Sequence, residues 1–177
     1  SVPKMDYMEL NVGTDVKGQL QADYQLELNA VAMYNKAVQV SREEGDGESH
    51  LRKTLAEIRI ITGAMANGIA RAALDAAVRY AGERKQFGKA INRYQAIQGK
   101  LAEMATELEA ATHLVRYAAW LRDTGKPHHK EAAMAKLFAS EAAARICDQA
   151  ARVFASYGYA MEYPVQRFLR DVRFTLI

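Results

Sequence analysis

Apolar residues recur at alternating steps of three and four along most of this chain, with polar residues between them. That period belongs to helices that bury one stripe. The longest run goes from Ser49 to about Arg84 without a proline, and its seam reads Leu51, Leu55, Ile58, Thr62, Met65, Ile69, Ala72 and Ala76. A helix of roughly 35 residues is about 50 Å long, and heptad spacing lays it lengthwise against its neighbours. Upstream, Thr14 is a candidate N-cap for a helix reaching about Glu44, with the seam Val16, Leu20, Tyr24, Glu27, Val31, Tyr34 and Val38. Gly45-Asp46-Gly47 joins the two tightly, because Gly suits the left-handed residue after a helix.

Downstream, Phe87-Gly88 and Asn92-Arg93 read as a connector. A third helix is predicted from about Tyr94 to Thr124, its seam Ile97, Leu101, Met104, Leu108, Ala111, Val115 and Ala118. Thr124-Gly125-Lys126-Pro127 stops it, with Gly just past the end and Pro shortly after. A fourth runs from about His129 to Tyr157 along Ala133, Leu137, Ser140, Ala144, Cys147, Ala151 and Phe154, small residues that let a neighbour come close; Gly158 ends it. A short fifth helix opens near Pro164 and closes near Asp171, while residues 1–14 and Arg173 to Ile177 carry no sustained period. Matched lengths and short connections predict an all-α fold: an antiparallel four-helix bundle with a short fifth helix, one domain over residues 1–177.

Composition narrows the function classes. The net charge is +3 over 177 residues, and bases alternate with acids along helix faces, so no nucleic-acid footprint is expected. No apolar run approaches the ~18 residues a membrane span needs, and no leader peptide is expected at its start. The one cysteine, Cys147, excludes an internal disulfide and suits a cytoplasmic setting.

Two stretches carry family likenesses. Leu10-Asn11-Val12-Gly13-Thr14-Asp15-Val16, Asp23-Tyr24-Gln25-Leu26-Glu27-Leu28 and Thr54-Leu55-Ala56-Glu57-Ile58 resemble the third helix and the start of the fourth of a bacterioferritin. In that family the glutamate at the Glu27 position bridges two irons, and an inward carboxylate suits a hard cation. The bundle site also needs Glu-x-x-His pairs, and this sequence has none, so no metal site is expected. His50, His113, His128 and His129 show no ligand spacing, and Glu109 and His113 read as a surface pair on one helix face.

From Arg59 on, the chain resembles the C-terminal helical domain of an acyl-CoA dehydrogenase. The likeness rests on Ala72-Ala73-Leu74-Asp75, Tyr80-Ala81-Gly82-Glu83-Arg84-Lys85-Gln86-Phe87-Gly88-Lys89, Tyr94-Gln95-Ala96-Ile97-Gln98, Gly158-Tyr159, Glu162-Tyr163-Pro164-Val165 and Leu169-Arg170-Asp171. The resemblance implies that Arg84 and Phe87 contact FAD held mainly by a neighbouring subunit. Arg152 stands where the family has Gln, and Ala155-Ser156 where it has two glycines. It also implies that the catalytic Glu-Gly-Thr motif and the last bundle helix would follow Ile177, and that flavin and acyl chain are held by domains outside these residues.

The expectation drawn from both likenesses is a chimeric, engineered bundle joined at Ile58–Arg59: ferritin-like over 1–58 and dehydrogenase-like over 59–177. Its first helix would fill the place of the missing last one. Such a protein would be a structural scaffold, not an enzyme, with no catalytic residue, cofactor, metal or small-molecule substrate. The alternative is a dehydrogenase fragment that retains FAD or acyl-CoA binding. The apolar Trp120, Phe168 and Leu169 could serve a homo-oligomer contact or cover the fifth helix.

Overall fold

The computed structural model describes residues 47–177, together with Asn35, Gln39 and Gly45 singly. Of the predicted helix over 14–44 only Asn35 and Gln39 are described, both helical, and Glu27 lies outside the described residues. The chain divides into two compact units, 1–51 and 52–177, and the second holds nearly all of the described helical frame.

Three long helices make that frame: α1 (Gly47–Glu83), α2 (Gln95–Asp123) and α3 (His129–Phe154). Between the first two lie the two-residue strands β1 (Lys85–Gln86) and β2 (Lys89–Ala90) and a 3₁₀ turn over Ile91–Arg93. A further 3₁₀ turn (Ala155–Tyr159), the short α4 (Val165–Asp171) and a last 3₁₀ turn (Val172–Leu176) close the chain. The fold is all-α, as its periodicity predicts, and the seven-residue α4 is the expected short helix after Pro164.

Side-chain pairs give the directions. Arg122, at the end of α2, meets Glu57 near the start of α1 at 3.3 Å. Lys100 Nζ, early in α2, donates to Gln149 Oε1, late in α3, at 2.8 Å. Tyr80 and Phe154, at the ends of α1 and α3, stack with ring centroids 4.0 Å apart. The three helices therefore run up, down and up. The stop after α2 is built as its residues predict. Gly125 takes φ +69°, and the Lys126 amide reaches back to the Leu121 carbonyl at 2.9 Å, closing a left-handed helix cap.

The core is made largely of alanine. On α1 the buried face is Ala56, Ile60, Ala66, Ala70, Ala73, Leu74, Ala77 and Ala81. This corrects the predicted α1 seam, of which Leu51, Leu55, Ile58 and Met65 are exposed and the remainder half-buried. The true face lies about one residue, or ~100°, around the helix. The reason is close approach: a Cβ on Gly63 would lie 3.0 Å from Val115 Cγ2 and 3.6 Å from the Ala135 carbonyl oxygen. Where the helices come this near only small residues fit, so the face is mostly alanine, with Ile60 and Leu74 as its larger members and Leu51, Leu55, Ile58, Ile61 and Met65 turned outward. The α2 seam stands as predicted from Met104 to Ala118, and Ile97 and Leu101 pack half-buried at its margin. On α3, Ser140, Cys147, Ala151 and Phe154 are buried but Leu137 is exposed. That helix buries a broader face because α2 covers one side and α4 with its flanking turns another. Phe168 and Leu169, on α4 itself, pack half-buried against the core and dock that helix on it, whereas Trp120 stands about half exposed.

Cys147 lies fully inside this core. Burial pushes its thiol from an ordinary 9.0 up to about 12, with Arg173 opposing and Asp171 adding to the rise. A folded pKa above the unfolded one means that, above pH about 9, the unfolded chain releases a proton the folded chain keeps. Stability is then expected to fall as pH rises from about 9 towards 12. Denaturant titrations at pH 8 and pH 10.5 check this: Cys147→Ala should reduce the difference between them.

Candidate functional site

The two residues singled out in the sequence sit at the end of the bundle where α1 and α3 finish. The α1 helix ends at Glu83, and the chain turns into a hairpin pairing Lys85 with Ala90 and Gln86 with Lys89. Its two-residue loop is Phe87-Gly88, with φ +53° and +83°. Positive φ at both loop positions matches the twist of paired strands. The sequence reading gave only a connector here, because Phe is an unusual residue for a left-handed position. The hairpin is braced from α2's side: Tyr94 Oη donates to the Gln86 carbonyl at 2.8 Å, and the Lys89 ammonium lies 4.3 Å over the Tyr94 ring. Phe87 is thereby held out at the tip, 93% exposed.

Arg84 points elsewhere. Its guanidinium lies over the Tyr157 ring, 5.5 Å from the centroid, within cation–π range. It makes no ion pair with any described residue. Beneath it lies an aromatic cluster that the sequence reading missed. Tyr80 stacks on Phe154 and meets Tyr163 edge-on at 6.0 Å, while Tyr163 lies 5.4 Å from both Phe154 and Tyr157. Burial raises the Tyr80 phenol above its usual pKa, with Arg84 pulling the other way. The signal for this cluster was present as Tyr80 at the end of one helix and Tyr157 and Tyr163 after another, but only the up-down-up topology brings them together.

The α3 helix ends at this same place. Ala155 has φ +54° and ψ −131°, a conformation glycine adopts readily and alanine does not. Three residues later Gly158 packs against the Ala151 backbone; a Cβ there would be 3.0 Å from that carbonyl carbon and closer still to its oxygen. Arg152, at the last turn of α3, is tied to Asp148 at 2.8 Å.

The opposite end carries a second feature the sequence reading did not find. Lys53 and Glu57 of α1, Arg122 of α2, Gly125 to His128 of the following loop and His129 at the start of α3 line an open cleft of about 570 Å³. Its lining carries three bases, Lys53, Arg122 and Lys126, against one acid, Glu57, which pairs with Arg122. His128 Nδ1 faces the Lys126 carbonyl at 3.0 Å, while its buried Nε2 has no partner. Among the described residues no group of three His, Cys, Asp or Glu could hold a metal ion. Glu109 and His113 are the surface pair expected, 3.2 Å apart and both exposed. No described helix is long and apolar enough to cross a membrane.

A helical frame of three long antiparallel helices with a hairpin after the first is shared with known proteins. The family profile for the C-terminal domain of acyl-CoA dehydrogenases matches residues 45–177, and the chain belongs to that family. Benzylmalonyl-CoA dehydrogenase of Aromatoleum aromaticum is 82% identical over 138 residues, covering 78% of this chain and 37% of the relative. A probable acyl-CoA dehydrogenase of Bacillus subtilis is 56% identical over 115 residues, covering 65% of this chain and 30% of the relative. The structure of butyryl-CoA dehydrogenase from Megasphaera elsdenii superposes with a TM-score of 0.71 at 46% identity, over 71% of this chain and 33% of that one. The chain thus spans about a third of the length of these relatives.

These findings correct three expectations. The family match begins at residue 45 and runs through Ile58–Arg59, so there is no junction there and no support for a bacterioferritin part, a chimera or a designed protein. Thr54 to Ile58 looked ferritin-like through residues that are mostly exposed on α1; only Ala56 of that segment is buried. Exposed helical positions constrain sequence weakly and so identify a family poorly. The reading of a scaffold without catalytic activity or small-molecule substrate is also overturned, since the relatives are named as enzymes of acyl-CoA thioesters. That reading rested on domains absent from these 177 residues, and a chain covering a third of its relatives cannot be judged on them.

Proposed function

We propose that this chain is the helical C-terminal part of a flavin-dependent acyl-CoA dehydrogenase, and that the Arg84 end of its bundle contacts the phosphates of FAD. The observation that carries this is the Arg84 guanidinium, lying over Tyr157 with its N–H donors unclaimed by any described carboxylate. A planar fork of donors suits a pyrophosphate. Lys85 and Lys89 add positive charge on the hairpin, and Phe87 offers an exposed aromatic face. Bound FAD supplies the hydride acceptor for acyl-CoA oxidation. Arg84 orients the phosphates, and Phe87 covers an apolar part of the cofactor from the hairpin tip. Because the family likeness has that cofactor held mainly by a neighbouring subunit, the protein works as a homo-oligomer. The basic cleft at the other end, with Lys53, Arg122 and Lys126, suits the phosphates of a coenzyme A thioester. The 82% identical relative points to an aryl-substituted acyl-CoA as substrate.

The test is a titration of FAD into the full-length oligomeric enzyme that contains this chain, followed by flavin fluorescence. Saturable binding is expected, weakened about tenfold by Arg84→Ala, the effect of losing one charge-assisted contact. Binding that is absent, or indifferent to Arg84, overturns the assignment.

A further inference from the structure

We infer that Tyr157 is a positioning residue for Arg84: its ring carries the guanidinium by the face and leaves the edge N–H donors turned to an incoming pyrophosphate. The inference rests on the reading of Arg84 as a phosphate contact and adds how that contact is prepared. A guanidinium on a long flexible stem samples many rotamers, and ordering it on binding costs affinity. A ring beneath its face removes part of that freedom beforehand without using any of its donors.

Three features hold Tyr157 in place, and each is unusual for an exposed side chain. Ala155, two residues before it, keeps a left-handed φ of +54° that swings the chain out of α3. Gly158, immediately after it, is pressed on the Ala151 backbone, where no side chain fits. Tyr163 backs the ring at 5.4 Å, tilted by 48°. Tyr157 is nevertheless 41% exposed, so this fixing does not serve core burial. Backbone strain retained around an exposed ring points to a role at a binding site. Over the ring lies the Arg84 guanidinium, its central carbon 5.5 Å from the ring centroid. The hairpin that begins one residue after Arg84 is separately braced by Tyr94, so backbone and side chain of the arginine are each fixed by a tyrosine.

A double-mutant cycle in the full-length oligomeric enzyme tests this, with FAD and ADP as probes. Tyr157→Leu is expected to weaken both by about two- to fivefold, the size of an exposed cation–π contact. Tyr157→Phe, which keeps the ring, should bind as the unsubstituted chain does. In an Arg84→Ala background Tyr157→Leu should have no further effect, a result that a merely structural role would not produce. Equal weakening in both backgrounds, or none in the first, overturns the inference while leaving the Arg84 assignment standing. An Arg84→Ala chain that binds normally overturns both. Should Tyr157→Leu fail to fold, the Arg84 Nε–H resonance decides: its ring-current shift should persist when ADP is added, and loss of that shift means the guanidinium leaves the ring to bind.

Discussion

Proline at position 58 is expected to lower the stability of the bundle by about 3 kcal/mol or more, the cost of an interior helix proline. Ile58 lies eleven residues into the 37-residue α1. Its amide belongs to the helical ladder, and a proline ring there meets the carbonyl of Thr54. For a chain of this size the melting temperature should fall by roughly 6–12 °C. The side chain itself contributes little, because Ile58 is 49% exposed; Ile58→Ala should shift melting by no more than about 2 °C. The pair of variants separates backbone from packing. An unchanged melting temperature in Ile58→Pro would show that α1 is already broken at this step.

The second large effect is expected from Gly158→Ala. The added methyl would fall against the carbonyl of Ala151, which belongs to the last turns of α3 and is buried. Backbone cannot rotate aside as a side chain can, so the turn after α3 has to move as a unit. Overpacking of this kind costs about 1–3 kcal/mol, and here the displaced segment also carries Tyr157 and the contact between Tyr163 and Phe154. Melting followed by circular dichroism should show a drop of roughly 2–12 °C. In the same variant the near-ultraviolet tyrosine signal should change even where the chain remains folded. A variant that melts as the parent does would mean that the turn is looser than its packing indicates.

How much of this could be read in the sequence differs from element to element. The boundaries of α2 and α3, the stop at Gly125 and the short helix after Pro164 were legible, because caps and proline act locally. Membership of the dehydrogenase family was legible from Arg59 onward, most specifically in the Tyr80 to Lys89 stretch. The buried face of α1 was not. A seam is chosen in sequence by the largest apolar residues, and this core selects the smallest. The β-hairpin escaped notice because its loop places Phe87 where Gly or Asn is usual. The aromatic seat of Arg84 required knowing that Tyr80, Tyr157 and Tyr163 meet, which no local pattern states. The basic cleft joins residues some 70 positions apart, Lys53 to Lys126, and follows only from the up-down-up path of the helices.

The alanine lining of the helix contacts gives the bundle a one-sided response to mutation. Ala56, Ala66, Ala70 and Ala73 on α1 share one buried core with Ala111 and Ala118 on α2 and Ala135 and Ala139 on α3. An alanine has no rotamers to freeze on folding, so these contacts form without loss of side-chain freedom. It also has nothing to trim: a core of leucines can shrink at one position and grow at another, and so drift while keeping its volume. Here nearly every available change is an enlargement between helices already closely packed. Random mutagenesis of the domain should therefore leave these positions almost invariant while Leu51, Leu55, Ile61 and Met65 on the outer face of the same helix accept polar replacements freely. Measured by what folds rather than by what is hydrophobic, the small residues of this chain are the constrained ones.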